Sequence, residues 1–271
     1  MAGHTIDQEL ATIQRLDKES TLATVDYLGE NVTSLSEAES TRDTYMRILD
    51  RVADLNVGAT ISIKLTQFGL DLSTEACQAN VEPLVARAKE IGSAVEIDME
   101  SHEYVDRTLA IALAMHRRYG CVRSVIQAYL YRSEKDIENL NTQGLPIRLC
   151  KGAYREPASV AFQKKPEVDA SYVRLMHQLF EHGSRPAFAT HDEKLVREAL
   201  SKLKAGGHGS NGFEFQMLYG IRRDLQRTIV DQGFRLRLYV PYGDAWYPYF
   251  MRRLAERPAN LMFLARNLVR K

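Results

Sequence analysis

Charged and phenolic side chains recur inside apolar stretches of this chain, where a solvated charge has no place. Lys64 lies in the run 60–67, Arg148, Lys151 and Tyr154 in 147–154, and Arg237 and Tyr239 in 236–241. Glu96, Asp98 and Glu100 alternate through 94–100, and the period of a strand puts all three carboxylates on one side. Buried charge must be paired, so these residues call for one another. Gln127 and Tyr129 add an amide and a phenol, as do Gln216 and Tyr219 beside Glu214, and Thr190-His191-Asp192 adds an imidazole. Tyr249, Arg252 and Arg253 stand at i, i+3 and i+4, on one side of a helix. Two guanidinium forks suit a carboxylate better than lysine does. Each residue also has a plainer role. Lys64 could be a structural partner of Asp98 or Glu96, Arg252 could pair with Glu256, His191 could be a satisfied core histidine, and Tyr154 and Tyr239 could pack at a rim. Two readings of this inventory are a Schiff-base lyase with Lys64 or Lys151 as nucleophile, and a binding module without catalysis.

The elements that must position these groups repeat regularly. Eight short β-rich runs occur at 21–28, 60–67, 94–100, 124–130, 147–154, 186–191, 213–218 and 236–241. Several are continuously apolar, as parallel strands buried on both faces are. Between them lie helical stripes: Ala76, Val81, Leu84, Val85, Ala88 and Ile91; Val105, Leu109, Ala112 and Leu113; Val173, Met176, Leu179 and Phe180. Ser133 to Asp136 supplies a cap for one helix, and Thr74-Glu75 starts another. Strict alternation implies parallel strands with crossover helices, and eight units imply closure. The expected fold is an α/β chain forming one (β/α)₈ barrel of the TIM type over residues 1–271, with an additional helix at 258–270 and none before the first strand. In such barrels functional side chains gather at the C-terminal ends of the strands.

Composition is that of a globular enzyme, with 45% hydrophobic and 26% charged residues. A net charge of +1 advertises neither nucleic acid nor an anionic membrane. Cys77, Cys121 and Cys150 form no metal-ligand spacing, and no apolar run is long enough to span a bilayer. Gly207-His-Gly209-Ser-Asn-Gly212 matches a dinucleotide fingerprint but in reverse order, with a helix before it and a strand after it. It is read as a loop at the bottom of the barrel.

Arg148-Leu-Cys-Lys-Gly-Ala-Tyr154 resembles the R-L-x-K-G-A-Y segment of proline dehydrogenases, and Tyr249, Arg252, Arg253 and Glu256 fit that family's Y-x-x-R-R-x-x-E. Leu28-Gly29-Glu30, Ser62-Ile-Lys64-Leu, Ile97-Asp98-Met-Glu100, Gln127-Ala-Tyr129, Phe188-Ala-Thr-His191 and Glu214-Phe-Gln-Met-Leu218 follow the same family pattern, in order. The resemblance is to the short bacterial form with a single activity. It implies FAD, held without a covalent link by Met99, Gln127, Arg148, Lys151, Gly152, Ala153, Lys165, Thr190 and His191. It implies L-proline as substrate, gripped by Lys64, Leu218, Tyr239, Tyr249, Arg252 and Arg253, with Asp98, Arg148, Tyr154 and Tyr239 nearest the chemistry and Glu30–Arg252 as a gate. It further implies oxidation at C5 to 1-pyrroline-5-carboxylate with a hydride passed to the flavin, a quinone acceptor at a membrane surface, and a cytoplasmic location with peripheral contact to the inner membrane.

Overall fold

The computed structural model describes residues 5–206 and 212–243. Eight parallel strands close a barrel in sequence order: β1 Leu22–Tyr27, β2 Ala59–Ile63, β3 Val95–Ile97, β4 Val122–Gln127, β5 Ile147–Cys150, β6 Ala187–Ala189, β7 Glu214–Leu218 and β8 Leu236–Tyr242. Leu22 pairs with Arg237 and Tyr27 with Tyr242, so the first and last strands seal the cylinder. Helices α2 Leu35–Leu55, α3 Thr74–Glu90, α4 Val105–Tyr119, α5 Ser133–Thr142, α6 Lys165–His182, α7 Glu193–Gly206 and α8 Arg223–Asp231 form the crossovers. One helix, α1 Ile6–Lys18, precedes β1, where none was expected. Thr5 caps it, and Leu10, Ile13 and Leu16 bury its inner stripe. It packs on both β1 and β8 and so fills the ring position that follows the last strand.

Local chemistry explains most element ends. Ser73 accepts a hydrogen bond from the Ala76 amide and caps α3, one residue before the expected start. In α3 it is Cys77, not Ala76, that is buried, with Val81, Leu84, Val85 and Ala88. Ser133 does not cap α5; its hydroxyl donates to the Gln127 carbonyl at 2.6 Å and ties the helix to the end of β4. The strands are shorter than their apolar runs. Residues Leu65–Phe68 leave β2 as a buried 3₁₀ turn, and β5 ends at Cys150, before Lys151. Gly152, at φ +123, turns the chain out of β5; a Cβ there would meet the Tyr129 ring at 2.3 Å. The helix-then-strand order around the glycine motif holds, since α7 precedes it and β7 follows. Its residues 207–211 lie outside the described residues, as do Tyr249, Arg252, Arg253 and the expected helix 258–270.

Candidate active site

The barrel axis is filled by ion pairs rather than hydrocarbon. Asp26 and Ser62 alternate inward from β1 and β2, and Lys64 follows β2 directly. Lys64 Nζ lies 3.5 Å from Asp26, 3.3 Å from Asp98 and 3.4 Å from the Tyr239 hydroxyl. That hydroxyl donates to Asp98 Oδ2 at 2.8 Å, while Ser62 and Arg148 reach Asp98 Oδ1 at 2.9 and 2.6 Å. The Arg148 guanidinium also binds Glu96 and stacks 5.5 Å from the centre of the Tyr239 ring. A second layer lies towards the N-terminal ends of the strands. Arg123 and Arg237 contact Glu214 at 2.5 and 2.8 Å and approach Glu96 at 3.5 and 3.7 Å. Four carboxylates (Asp26, Glu96, Asp98, Glu214) thus meet four cations (Lys64, Arg123, Arg148, Arg237).

This layering corrects the expectation that every polar strand residue serves the C-terminal mouth. Glu214 is the first residue of β7 and Arg237 the second of β8, so they belong to the opposite end with Arg123. Lys64 pairs with Asp98 but not with Glu96; its second carboxylate is Asp26, which sequence reasoning did not single out. The signal was present, because Asp26 is one charge inside an apolar run. Glu156 was missed too. It is buried beyond β5, accepts from the His102 amide at 2.8 Å and from the Tyr129 hydroxyl at 3.4 Å, and so joins the loops after β3, β4 and β5.

Electrostatics divides the mouth. Burial works against the charge on Lys64, but Asp26 and Asp98 outweigh it and hold the ammonium well above its ordinary range. Burial raises Asp26, and its Oδ2 has no hydrogen-bond partner. Asp98 is buried as well, yet Lys64 and Arg148 keep it below the ordinary carboxylate range. Burial lifts the Tyr154 phenol, with Glu30 and Glu100 adding to the shift. Glu100 is pushed up to about 7 by burial, although Thr66 donates both its amide and its hydroxyl to it. Between the unfolded value near 4.5 and about 7, the native state keeps a proton that the unfolded chain has released. Stability from this residue therefore falls as pH rises through that window. Glu100→Gln is predicted to flatten the slope of urea midpoint against pH between 5 and 7; an unchanged slope would show that Glu100 does not titrate there.

The wall formed by β4, β5 and β6 is richer in donors. Gln127 donates to the Glu100 carbonyl at 2.9 Å and accepts from the Ala153 amide at 3.3 Å. Lys151 binds Asp169 at 2.5 Å and Asp192 at 2.9 Å, and Lys165 contacts the same two carboxylates. Burial opposes charge on Asp192, but Lys151 holds it down to about 2. Thr190 accepts from the Asp192 amide at 3.1 Å, and His191 Nε2 accepts from the Leu218 amide at 2.8 Å. Met99 is buried in the core, and Arg148 Nε is buried without a partner. The structure thus brings Met99, Gln127, Arg148, Lys151, Gly152, Ala153, Lys165, Thr190 and His191 to the four adjacent ends of β3 to β6 and the loops that follow them, beside Lys64, Asp98 and Tyr239.

The sequence profile described as proline dehydrogenase matches residues 9–266. The chain belongs to the proline dehydrogenase family. It is similar to proline dehydrogenase 2 of Bacillus subtilis strain 168, with 37% identity over 271 residues, covering 100% of this chain and 89% of that protein. It is 36% identical to proline dehydrogenase of Deinococcus radiodurans, again covering 100% of this chain and 89% of the relative. Among solved structures, proline utilization A of Bdellovibrio bacteriovorus inactivated by N-propargylglycine superposes with a TM-score of 0.86 at 27% identity, over 94% of this chain and 32% of that longer one. The chain therefore spans about a third of that protein. This proline dehydrogenase chain is an oxidoreductase, and its family barrel is the closed eight-stranded cylinder described above. No helix among its described residues is long and apolar enough to cross a membrane.

Proposed function

We propose that the chain oxidises L-proline to 1-pyrroline-5-carboxylate with FAD as the hydride acceptor, and that a quinone at a membrane surface later takes the electrons. The observation that carries this reading is the split mouth: a compact Lys64–Asp98–Tyr239 cluster is joined through Arg148 to a donor-rich wall on β4 to β6. The donor set fits FAD. Lys151 and Lys165, held at the mouth by Asp169 and Asp192, would turn to a pyrophosphate, Gln127 and Ala153, bonded to each other here, would supply an amide and a backbone donor, and Arg148 has an unpartnered buried Nε. When bound, a flavin supplies acceptance of the hydride that leaves C5.

The chain's own residues do the rest. Lys64 presents a fixed positive charge for the substrate carboxylate, because Asp26 and Asp98 hold it protonated. Arg252 and Arg253 are assigned to the same carboxylate on their spacing, with Glu30 closing over it through Arg252. Asp98 orients Lys64, Arg148 and the Tyr239 phenol together. Tyr239, Tyr249 and Leu218 border the five-membered ring, and Tyr154 shapes the cofactor side. The ion pairs of Lys64 with Asp26 and Asp98, and of Lys151 with Asp169 and Asp192, argue against the Schiff-base reading, which needs a neutral amine.

Tyr239→Ser should enlarge the ring site. Proline efficiency is expected to fall, while efficiency with a 4-hydroxylated analogue falls less; an unchanged ratio of the two kcat/KM values would remove Tyr239 from the ring cage. The function itself is tested on the purified protein reconstituted with FAD. One flavin per chain should bind, bleach anaerobically on addition of L-proline, and separate from the polypeptide on denaturation. Absence of bound flavin, or flavin that proline does not bleach, would overturn the reading; flavin retained by the unfolded chain would overturn its non-covalent part.

A further inference from the structure

The N-terminal mouth of the barrel, at the opposite end from the active site, opens into a cavity of about 530 Å³. Its wall carries four arginines, Arg123, Arg185, Arg235 and Arg237, against two carboxylates, Glu96 and Glu214. The buried pair Arg123 and Arg237 already neutralises those two, at 2.5 and 2.8 Å from Glu214 and 3.5 and 3.7 Å from Glu96. Burial opposes charge on both glutamates, but Arg148, Arg123 and Arg237 pull Glu96 below its ordinary range, and Arg237 and Arg123 do the same for Glu214. Among the described residues of this wall the arginines outnumber the carboxylates by two. Arg235 is 45% exposed and comes only within 3.8 Å of Glu214. Arg185 has no carboxylate within ion-pair distance among the described residues.

Two further details favour a ligand over a purely structural role. Arg185 holds the left-handed backbone conformation, φ 47, which a long side chain adopts at a cost, and its carbonyl accepts from Arg123 at 3.3 Å. The Arg123 Nε is buried with no hydrogen-bond partner. A role in barrel stability accounts for the paired arginines of the inner layer, but not for the two guanidiniums at its rim. Val52, Ile91 and Phe213 line the same cavity, together with the hydroxyls of Thr60 and Ser93.

We infer that this mouth is a second binding site, distinct from the proline site, for a compact dianion carrying carboxylate or phosphate oxygens. Guanidinium forks match either oxygen geometry. Binding pairs Arg185 and Arg235 and leaves the inner layer intact. Glu96 belongs to the cavity wall and also binds Arg148, so the ligand sits one ion pair away from the active-site cluster.

The test uses the full chain with its cofactor, sodium phosphate and succinate as separate probes, and constant ionic strength. Isothermal titration calorimetry should give saturable binding of one dianion per chain. Arg185→Ala and Arg235→Ala should each weaken it about tenfold or more, since a charge-assisted bond is worth about 1.5–3 kcal/mol. Cys121 lines the cavity, whereas Cys150 ends β5 at the other mouth. Peptide-resolved alkylation of Cys121 should slow at saturating ligand while that of Cys150 does not. Tighter binding of succinate names a dicarboxylate, and tighter binding of phosphate names a phosphoryl compound. Lack of saturable binding by either probe, binding that both variants retain, or unchanged Cys121 labelling under saturating ligand would each overturn the site. None of these readouts uses proline turnover, so the proposed reaction can fail while this site stands, and the reverse.

Discussion

Arg148→Met is expected to cost more stability than any surface change in this barrel, about 3–5 kcal/mol, because it strands two buried carboxylates. Arg148 is 5% exposed and spans Glu96 and Asp98, so its loss leaves both with fewer cations in a site from which water is largely excluded. A domain stable by about 5–15 kcal/mol would lose a large share of its margin. Activity should fall with it, by about a hundredfold in kcat/KM, as expected when two charge-assisted bonds that orient a site are removed. Arg148→Lys keeps the charge but not the fork, and should recover stability more than activity. Urea midpoints and proline-dependent flavin bleaching measure the two effects separately. A midpoint within experimental error of the parent would refute the structural role of the arginine, and full kcat/KM would refute its place in the site.

Lys64→Met carries the second large effect. The methionine keeps most of the stem volume but leaves Asp26 and Asp98 facing each other across the former ammonium. We predict a loss of about a hundredfold or more in kcat/KM, chiefly as a raised KM if Lys64 binds the substrate carboxylate. A second substitution separates structure from chemistry. Asp26→Asn in the Lys64→Met background removes one of the stranded carboxylates, and should restore part of the urea midpoint. It should not restore proline turnover. Joint recovery of stability and activity would make Lys64 a scaffold residue only.

The fold was largely legible because its strands are buried on both faces. All eight apolar runs coincide with observed strands, and the differences lie at their ends. Apolarity reports burial, not conformation: Leu65 and Phe68 are fully buried yet belong to a turn. At β4 the error ran the other way. Val122 and Arg123 begin the strand, but Arg123 looks like a loop residue until its partner Glu214 is known, 91 positions along the chain. Helix α1 was overlooked although Thr5 and the Leu10, Ile13, Leu16 stripe announce it.

The candidate site was legible as a set of residue types, and less so as layers. Asp98 pairs with Lys64 as expected, while its bond to Arg148 was not foreseen. Glu96 and Glu214 look equivalent to Asp98 in sequence, but a displacement of two residues along a strand moves a side chain to another level of the barrel. Partners such as Asp26 with Lys64, or Glu156 with His102, join separate loops, and no local pattern encodes such a pairing.

The seam between β1 and β8 has a consequence for how the protein is made. The Arg237 guanidinium donates to the carbonyl of Ala23, 214 positions earlier, and every ladder contact of β8 with β1 is as distant in sequence. During synthesis β1 therefore leaves the ribosome with one edge unpaired, and α1 has no β8 to lie against until residues 236–242 have been made. Contacts of such separation are slow to form, and an open strand edge can recruit strands from other chains in the meantime. The interval between the first strand and the last is thus the period when this barrel is most exposed to aggregation.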